Sequence, residues 1–265
     1  KGLATFKKRT EITAAPFDKG KGFVVLESEK LKQKGIASMD NVEPNTRDNT
    51  KNLQKQINDS LNKLVEEGKL TKYEAMDLKT SDPNPPTAWT AIKAHKPQKD
   101  FPARNIVSHI GCPQEPLAKE LIRILKPLTS SCPYNVKNST EIAQHLKNMN
   151  LDADDVFCSV DATALFPSIP IEECINLIAD MLEQDDTLKD RTKLNVNDIR
   201  KLLHLCLSTS QFLYNDTCYT AKDSGPIGLS LMVTISDIWM TYTLKKATEK
   251  AQEKNYQLLR LHKLN

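Results

Sequence analysis

A basic segment and a single carboxylate are the features of this sequence that could do chemistry. Residues 92–108 carry Lys93, Lys96 and Arg104 around a proline-containing turn. Arginine can bind phosphate through two parallel N–H groups or stack on a base, whereas lysine acts as a point charge. Asp161 closes an apolar run much further along the chain, where a carboxylate could ligate a divalent cation. Each feature has an ordinary alternative, because basic loops are commonly only exposed and a lone Asp at a strand end commonly forms a turn.

The charge distribution agrees with two separate sites of opposite sign. The chain of 265 residues has a formal net charge of +3, but residues 151–200 are strongly acidic while the segments on either side are net basic. This pattern fits a protein that holds a polyanion in one place and concentrates carboxylates in another. Solvated surface explains most charge asymmetries equally well, so charge alone does not decide the function.

Composition excludes several classes of protein. Hydrophobic residues make up 39% of the chain and charged residues 27%, which is ordinary globular material and excludes disordered, collagenous and disulfide-scaffold classes. No run approaches the roughly 20 apolar residues of a spanning helix, so no membrane association is expected. The six cysteines never form a C-x-x-C pair, which predicts reduced core residues in an intracellular protein.

Hydrophobic periodicity predicts a mixture of helices and strands. The predicted helices are at 51–67, from Pro116 onward, after a cap at Ser139 or Thr140, at 171–183, at 196–208 and at 231–250. The predicted strands are at 23–26, at 156–161 as a buried strand, and at 211–214 and 217–220 as a hairpin around Asn215-Asp216. Because the elements do not alternate as βαβ units, the predicted fold class is α+β.

The order and wording of several sequence blocks resemble one protein family. These blocks are Asp18-Lys19-Gly20, IKAHKPQKDFPARNIVS, PLAKELIRILKPL, VKNSTEIAQHL, SVDATALFPSIP, QFLYNDTCYTA and the glycine-containing SGPIGLSLMVTISDIWM. Family counterparts include A-D-K-G, P-K-I-H-K followed by R-P-I-V-S, and S-F-D-V-x-S-L-F-T-N-I-P. In these blocks the chain resembles the reverse transcriptase of Penelope-like retroelements, which is related to the telomerase catalytic subunit. The likeness runs from about residue 12 to 250, and each block is degenerate while their combined order is specific.

The resemblance implies a right-hand polymerase, with residues 1–150 as the fingers region and 151–265 as a partial palm. Nucleotidyl transfer in such enzymes uses two divalent ions, Mg²⁺ or Mn²⁺, about 3.5 to 4 Å apart. Asp161 matches the first catalytic aspartate and metal ligand, and the main-chain carbonyl of Ala162 is expected to ligate the ion on the triphosphate side. Phe166 matches the bulky gate that favours deoxynucleotides, although a core position is an equal alternative.

The resemblance also implies which residues bind the nucleotide. Lys93, Lys96 and Arg104 are expected to hold the triphosphate from the side opposite the metal ions. Gly225 and Gly228 match the glycine loop beside the incoming base and template, where small residues permit close backbone approach. We therefore expect Asp161 to face a groove floor beneath the cations of Lys93 and Arg104.

The sequence departs from the family in two respects. Asn105 replaces the proline that follows the arginine, and the chain has no Asp or Glu after Glu253, where the family places a Y-x-D-D hairpin. Without those carboxylates the second metal ion has no protein bridge, and nothing resembling a thumb is present. The chain is therefore expected to be a truncated or inactive piece of its parent polymerase.

Two hypotheses follow for the function. The first is the fingers and partial palm of an RNA-directed DNA polymerase, with an RNA template, a DNA primer and deoxynucleoside triphosphates as partners and a nuclear location taken from the family. The alternative is a non-catalytic relic that binds RNA through the basic fingers surface, with affinity dominated by phosphate contacts.

Overall fold

The structure is a computed structural model, and it describes residues 9–254 except 40, 46, 131–133, 137, 151–154, 157–158, 163–164 and 223–224. The chain is a mixed α+β protein, as the sequence predicts. Across the part of the chain that the structure describes, no helix has both the length and the apolar character that a bilayer crossing requires.

The helices carry most of the core. They are α1 (Ser28–Ala37), α2 (Thr50–Glu66), α3 (Lys72–Asp77), α4 (Glu115–Ser130), α5 (Ser139–Lys147), α6 (Ile171–Glu183), α7 (Leu188–Arg191), α8 (Val196–Leu207) and α9 (Leu231–Glu253). Short 3₁₀ turns occupy Pro97–Lys99 and Phe166–Ser168. The helices predicted from apolar spacing are therefore confirmed, with ends shifted by a few residues.

The strands form two sheets. They are β1 (Ile12–Pro16), β2 (Phe23–Glu27), β3 (Val42–Asn45), β4 (Thr87–Ile92), β5 (Ala103–Ser108), β6 (Gln211–Tyr214) and β7 (Thr217–Ala221). Strands β1 and β2 pair as an antiparallel ribbon, and the other five form a sheet in the order β3-β7-β6-β4-β5. In this sheet only β4 and β6 pair in parallel, and β5 is an edge strand.

Turn and cap residues in the sequence indicate where several of these elements begin and end. The predicted hairpin forms as β6 and β7, with Asn215 and Asp216 both at positive φ, as a tight turn requires. The T-x-x-E spacing of Thr71 and Glu74 is typical of a capping box, and the box forms: the Thr71 hydroxyl accepts from the Glu74 N–H, and the Glu74 carboxylate accepts from the Thr71 N–H. Asn138 caps α5, so the predicted cap at Ser139 or Thr140 is wrong by one residue.

One hydrophobic core crosses the boundary predicted at residue 150. Buried side chains of α2 and α4 pack in the same cluster as those of α6, α8 and α9; the largest of them include Ile57, Leu121, Ile175 and Ile199. The five-stranded sheet likewise joins β3, β4 and β5 to β6 and β7. The predicted fingers and palm regions therefore share one core and one sheet.

The predicted buried strand at 156–161 is wrong for the residues that the structure describes there. Val156 and Val160 are 88% and 85% exposed, and neither belongs to a strand. Phe157 and Cys158 lie outside the described residues. A strand needs a neighbour for its backbone groups, and none of the described strands pairs with this segment. Apolar, β-prone residue types alone do not supply that neighbour.

Candidate functional site

The basic segment folds as a β-hairpin rather than as a simple turn. Strand β4 pairs with β5 along its length, and Ala91 lies opposite Arg104. Lys93 continues the pairing, because its N–H donates to the Pro102 carbonyl at 2.9 Å. Lys96 lies in the connection just before the 3₁₀ turn, and its N–H donates to the Lys93 carbonyl at 2.9 Å. The structure therefore brings the three predicted phosphate-binding cations together at one end of a hairpin.

A buried carboxylate holds the arginine of this hairpin. The Nη1 atom of Arg104 lies 3.0 Å from Oδ1 of Asp18, whose side chain is only 3% exposed, whereas that of Arg104 is 54% exposed. The Asp18 N–H donates to the Ile92 carbonyl at 2.8 Å, which fixes the aspartate beside the end of β4. Only one guanidinium nitrogen is used by Asp18, so the other N–H groups of Arg104 remain available for a ligand.

Positive charge is concentrated around Lys93. Burial lowers the pKa of its ammonium group, and the nearby charges of Arg104, Lys96 and Lys99 lower it further, while Asp18 opposes them. Cations crowded around one ammonium group are a favourable environment for an anion, because the anion relieves their repulsion. The concentration of positive charge at this end of the hairpin therefore favours binding of phosphate.

Two sets of polar contacts hold the hairpin against α1. At its tip, Lys34 donates to the side chain of Asp100 at 2.8 Å. Near its middle, the Asn105 amide accepts from Thr90 Oγ1 at 2.8 Å and donates to the Gly35 carbonyl at 2.8 Å. Asn105, which departs from the family proline, thus makes side-chain hydrogen bonds that proline could not make.

The glycine loop lies directly against the edge strand of the hairpin. Gly228 has φ of +87°, and a Cβ atom on it would lie 2.0 Å from the carbonyl oxygen of Val107 in β5. Gly225 is different, because it is buried and a Cβ there would meet Met232 and Ile171. Close packing accounts for the glycine at 225, and its predicted contact with a nucleotide stays a prediction.

The residues that the structure describes form no metal site around Asp161. Asp161 and Ala162 are exposed and lie outside any helix or strand, and Asp161 makes no hydrogen bond or ion pair with a described residue. No three His, Cys, Asp or Glu side chains in the described ranges come together as a group that could hold a metal ion. One aspartate cannot hold two ions in place, so the described residues do not fit the two-ion centre.

Phe166 begins the 3₁₀ turn before α6, and its side chain is exposed. The alternative that Phe166 is a core residue is therefore wrong, and its role as a sugar gate stays a prediction. No hydrogen bond or ion pair among the described residues links Asp161, Ala162 or Phe166 to the basic hairpin.

The sequence did not indicate the role of Asp18. The Asp18-Lys19-Gly20 run is typical of a turn, and nothing local connects it to an arginine far along the chain. The family resemblance includes the Asp18-Lys19-Gly20 block, but it assigns no partner to the aspartate. The contact appears only when the β1–β2 ribbon docks beside β4, where Phe17 bridges Ile92.

Comparison with known proteins assigns no family to this chain. No protein-family model matches it, and no curated protein sequence matches it significantly. The resemblance to Penelope-like reverse transcriptases thus remains a prediction from the sequence blocks.

Proposed function

We propose that the chain is the fingers and partial palm of a reverse transcriptase, and that its β4–β5 hairpin binds the triphosphate of a deoxynucleotide. RNA-templated DNA synthesis belongs, in this proposal, to the parent polymerase. The proposal for the chain itself stops at binding, because the described residues do not fit a two-ion centre.

The observation that carries the proposal is the contact between Gly228 and Val107. The glycine loop and the basic hairpin are separated by more than a hundred residues of sequence, yet Gly228 lies against the strand that carries Arg104. The family resemblance requires both segments at the incoming nucleotide. Their adjacency is what such a site needs, since one segment supplies phosphate-binding cations and the other allows close backbone approach.

Each cation has a definite part in this site. Asp18 orients Arg104 with one contact, which leaves the outer part of the guanidinium to bind phosphate oxygens. Lys93 and Lys96 add point charges on the same connection, and an anion bound there favours the charged form of Lys93. Phe166 is proposed to contact the sugar in the parent enzyme.

The test is the affinity of the chain for a deoxynucleoside triphosphate, measured by calorimetry. Arg104→Ala is expected to weaken binding about tenfold, as loss of a hydrogen-bonded charge pair does. Arg47→Ala is the matched control, because it removes an exposed arginine that follows β3 and lies outside the hairpin. Equal effects of the two substitutions, or no binding by the unaltered chain, would contradict the proposal.

A second candidate function is non-catalytic RNA binding by the same cations. The crowding of positive charge around Lys93 favours it, because a polyphosphate backbone needs a patch of cations and no aligned metal centre. The two candidates differ in their ligand. Under the second, RNA binds with a steep dependence on salt while Arg104→Ala leaves the weak affinity for free triphosphate unchanged.

A further inference from the structure

We propose that Trp89 is a stacking platform for an unpaired nucleobase of single-stranded nucleic acid, with the adjoining phosphate held by Arg104. This inference rests on the second candidate of the proposed function, RNA binding, because it gives the phosphate site at Arg104 to a nucleic-acid strand, and a free triphosphate would compete with that strand for the same cations. It adds a base-binding residue and states the kind of strand that the hairpin takes.

The pairing register puts Trp89 and Arg104 on the same face of the hairpin. Trp89 lies opposite Ile106, and Ala91 lies opposite Arg104, so Trp89 and Arg104 are diagonal neighbours across the two strands. Residues directly opposite each other and alternate residues along a strand share a face. Diagonal neighbours are about 7–8 Å apart, which long and aromatic side chains span. A base on Trp89 would therefore have its phosphate within reach of Arg104.

The side chain of Trp89 is partly exposed and has no polar or aromatic partner among the described residues. The residue is 43% exposed, and its side chain makes no hydrogen bond, ring contact or cation–π contact with a described residue. The other tryptophan is partnered, since the Trp239 ring lies 5.6 Å from that of Tyr242 and packs against the main core. A large aromatic ring left open beside a cation is a surface suited to stacking.

The surrounding charge selects the occupant of this surface. Arg104 is the diagonal neighbour of Trp89, and Lys93 and Lys96 lie further along at the end of the hairpin, so cations continue from the open ring in one direction. A base attached to a phosphate chain satisfies both features at once, because the base covers the ring and the phosphates meet the cations. The base must be unpaired, since a base inside a duplex is already stacked on both sides.

The test uses the fluorescence of Trp89 itself. In the Trp239→Phe chain Trp89 is the remaining tryptophan, since the sequence contains two. A short single-stranded oligoadenylate RNA is expected to quench its emission, as is the corresponding DNA strand, whereas the RNA paired with its complement is not. Tripolyphosphate, which has charges but no bases, is expected to displace the RNA without quenching. RNA that binds, as measured by anisotropy of a labelled strand, and leaves the emission unchanged would overturn the inference.

A substitution pair at Trp89 gives a second measurement. Trp89→Leu keeps an apolar side chain and loses stacking, and is expected to weaken binding of the single strand about tenfold. Trp89→Phe keeps an aromatic ring and is expected to stay within about threefold of the unaltered chain. Equal affinity of both variants and the unaltered chain would overturn the inference while leaving the proposed triphosphate binding intact. If neither triphosphate nor single strand binds the unaltered chain, both proposals fail.

Discussion

The β4–β5 hairpin carries the predicted phosphate-binding residues, and the segment around Asp161 carries the predicted metal ligand. The two regions differ in how many contacts fix these side chains. In the hairpin, Arg104 is oriented by the buried Asp18, and Asn105 ties the strand to α1. Around Asp161, the described residues are exposed and belong to no strand. A charged group becomes a defined site when neighbouring elements fix it, and among the described residues Arg104 has such neighbours while Asp161 does not.

The difference has an energetic origin. The hairpin gains paired backbone groups along β4 and β5, Asp100 and Asn105 bond to α1, and Arg104 pairs with Asp18 just after β1. These contacts offset the entropy lost when long side chains are ordered. Asp161 makes no hydrogen bond or ion pair with a described residue, so no such contact offsets the loss of entropy at its side chain. We expect substitutions to be costly in the hairpin half and nearly neutral at Asp161.

The largest effect is expected from Gly228→Ala. The new Cβ would lie 2.0 Å from the Val107 carbonyl oxygen, which is far inside contact distance, and alanine would also be strained at φ of +87°. Together these effects should lower the free energy of unfolding by about 3 kcal/mol or more, as measured by urea denaturation.

The control for this prediction is Gly20→Ala. Gly20 has φ of +86° but nothing within 4 Å of the added Cβ, so it pays for backbone strain alone, about 1–2 kcal/mol. Equal losses for the two variants would mean that the contact between the glycine loop and β5 contributes nothing.

Acid should weaken the base of the hairpin through His109, which follows β5. Burial lowers the pKa of His109 from 6.5 to about 4, against an opposing effect of Glu115. The unfolded chain therefore binds the proton more readily, and stability present above pH 6.5 is lost as the pH falls toward 4. The loss should be about 3 kcal/mol between these values.

Urea denaturation at several pH values measures this loss, with His109→Gln as the comparison. The variant should lose less stability between pH 6.5 and 4, because glutamine does not titrate. Parallel pH profiles of the two proteins would show that His109 is not the group responsible.

A smaller loss is expected from Asn105→Ala. It removes the hydrogen bond from Thr90 and those to the Gly35 carbonyl and the Ser38 hydroxyl. The expected cost is about 2 kcal/mol of unfolding free energy, since the partners are partly buried. Asn62→Ala is the control, because the side-chain carbonyl of the exposed Asn62 accepts a solvent-exposed hydrogen bond from Lys79, and its loss should cost less than about 0.5 kcal/mol. Similar losses would show that the network does not fix the hairpin.

The sequence predicts the helices of this protein better than its sheet, for a physical reason. Leu53, Ile57, Leu61 and Leu64 repeat at helical spacing, and each is buried in α2 as predicted. A helix pairs its own backbone groups, so its signal is local. Strands β4 and β5 were missed because their pairing depends on each other and on β6, which lies far along the chain.

The same limit applies to the site. Residue types identified Lys93, Lys96 and Arg104 as neighbours, because a short connection brings them together. The ion pair of Asp18 with Arg104 and the contact of Gly228 with Val107 join distant segments, and composition carries no signal for either. For Asp161 the error was of the opposite kind. An apolar run predicted a buried strand, although burial requires a partner that the run itself does not specify.

The smallest effect on stability is expected from Asp161→Ala. Because Asp161 is exposed and makes no hydrogen bond or ion pair with a described residue, its unfolding free energy should change by no more than about 0.5 kcal/mol. Asp198→Ala is the matched control. Asp198 accepts from Lys69 and from the Asn195 N–H while buried, so its loss should cost about 2 kcal/mol or more.

Primer extension tests whether the segment around Asp161 has any catalytic role beside the β4–β5 hairpin. The chain should extend no primer with Mg²⁺ or Mn²⁺, and Asp161→Ala should leave triphosphate affinity within about twofold of the unaltered value, since the cations lie on the hairpin. DNA synthesis that depends on Asp161 would reverse this conclusion, because it would require the exposed carboxylate to be organised by substrate and ions that the chain alone does not position.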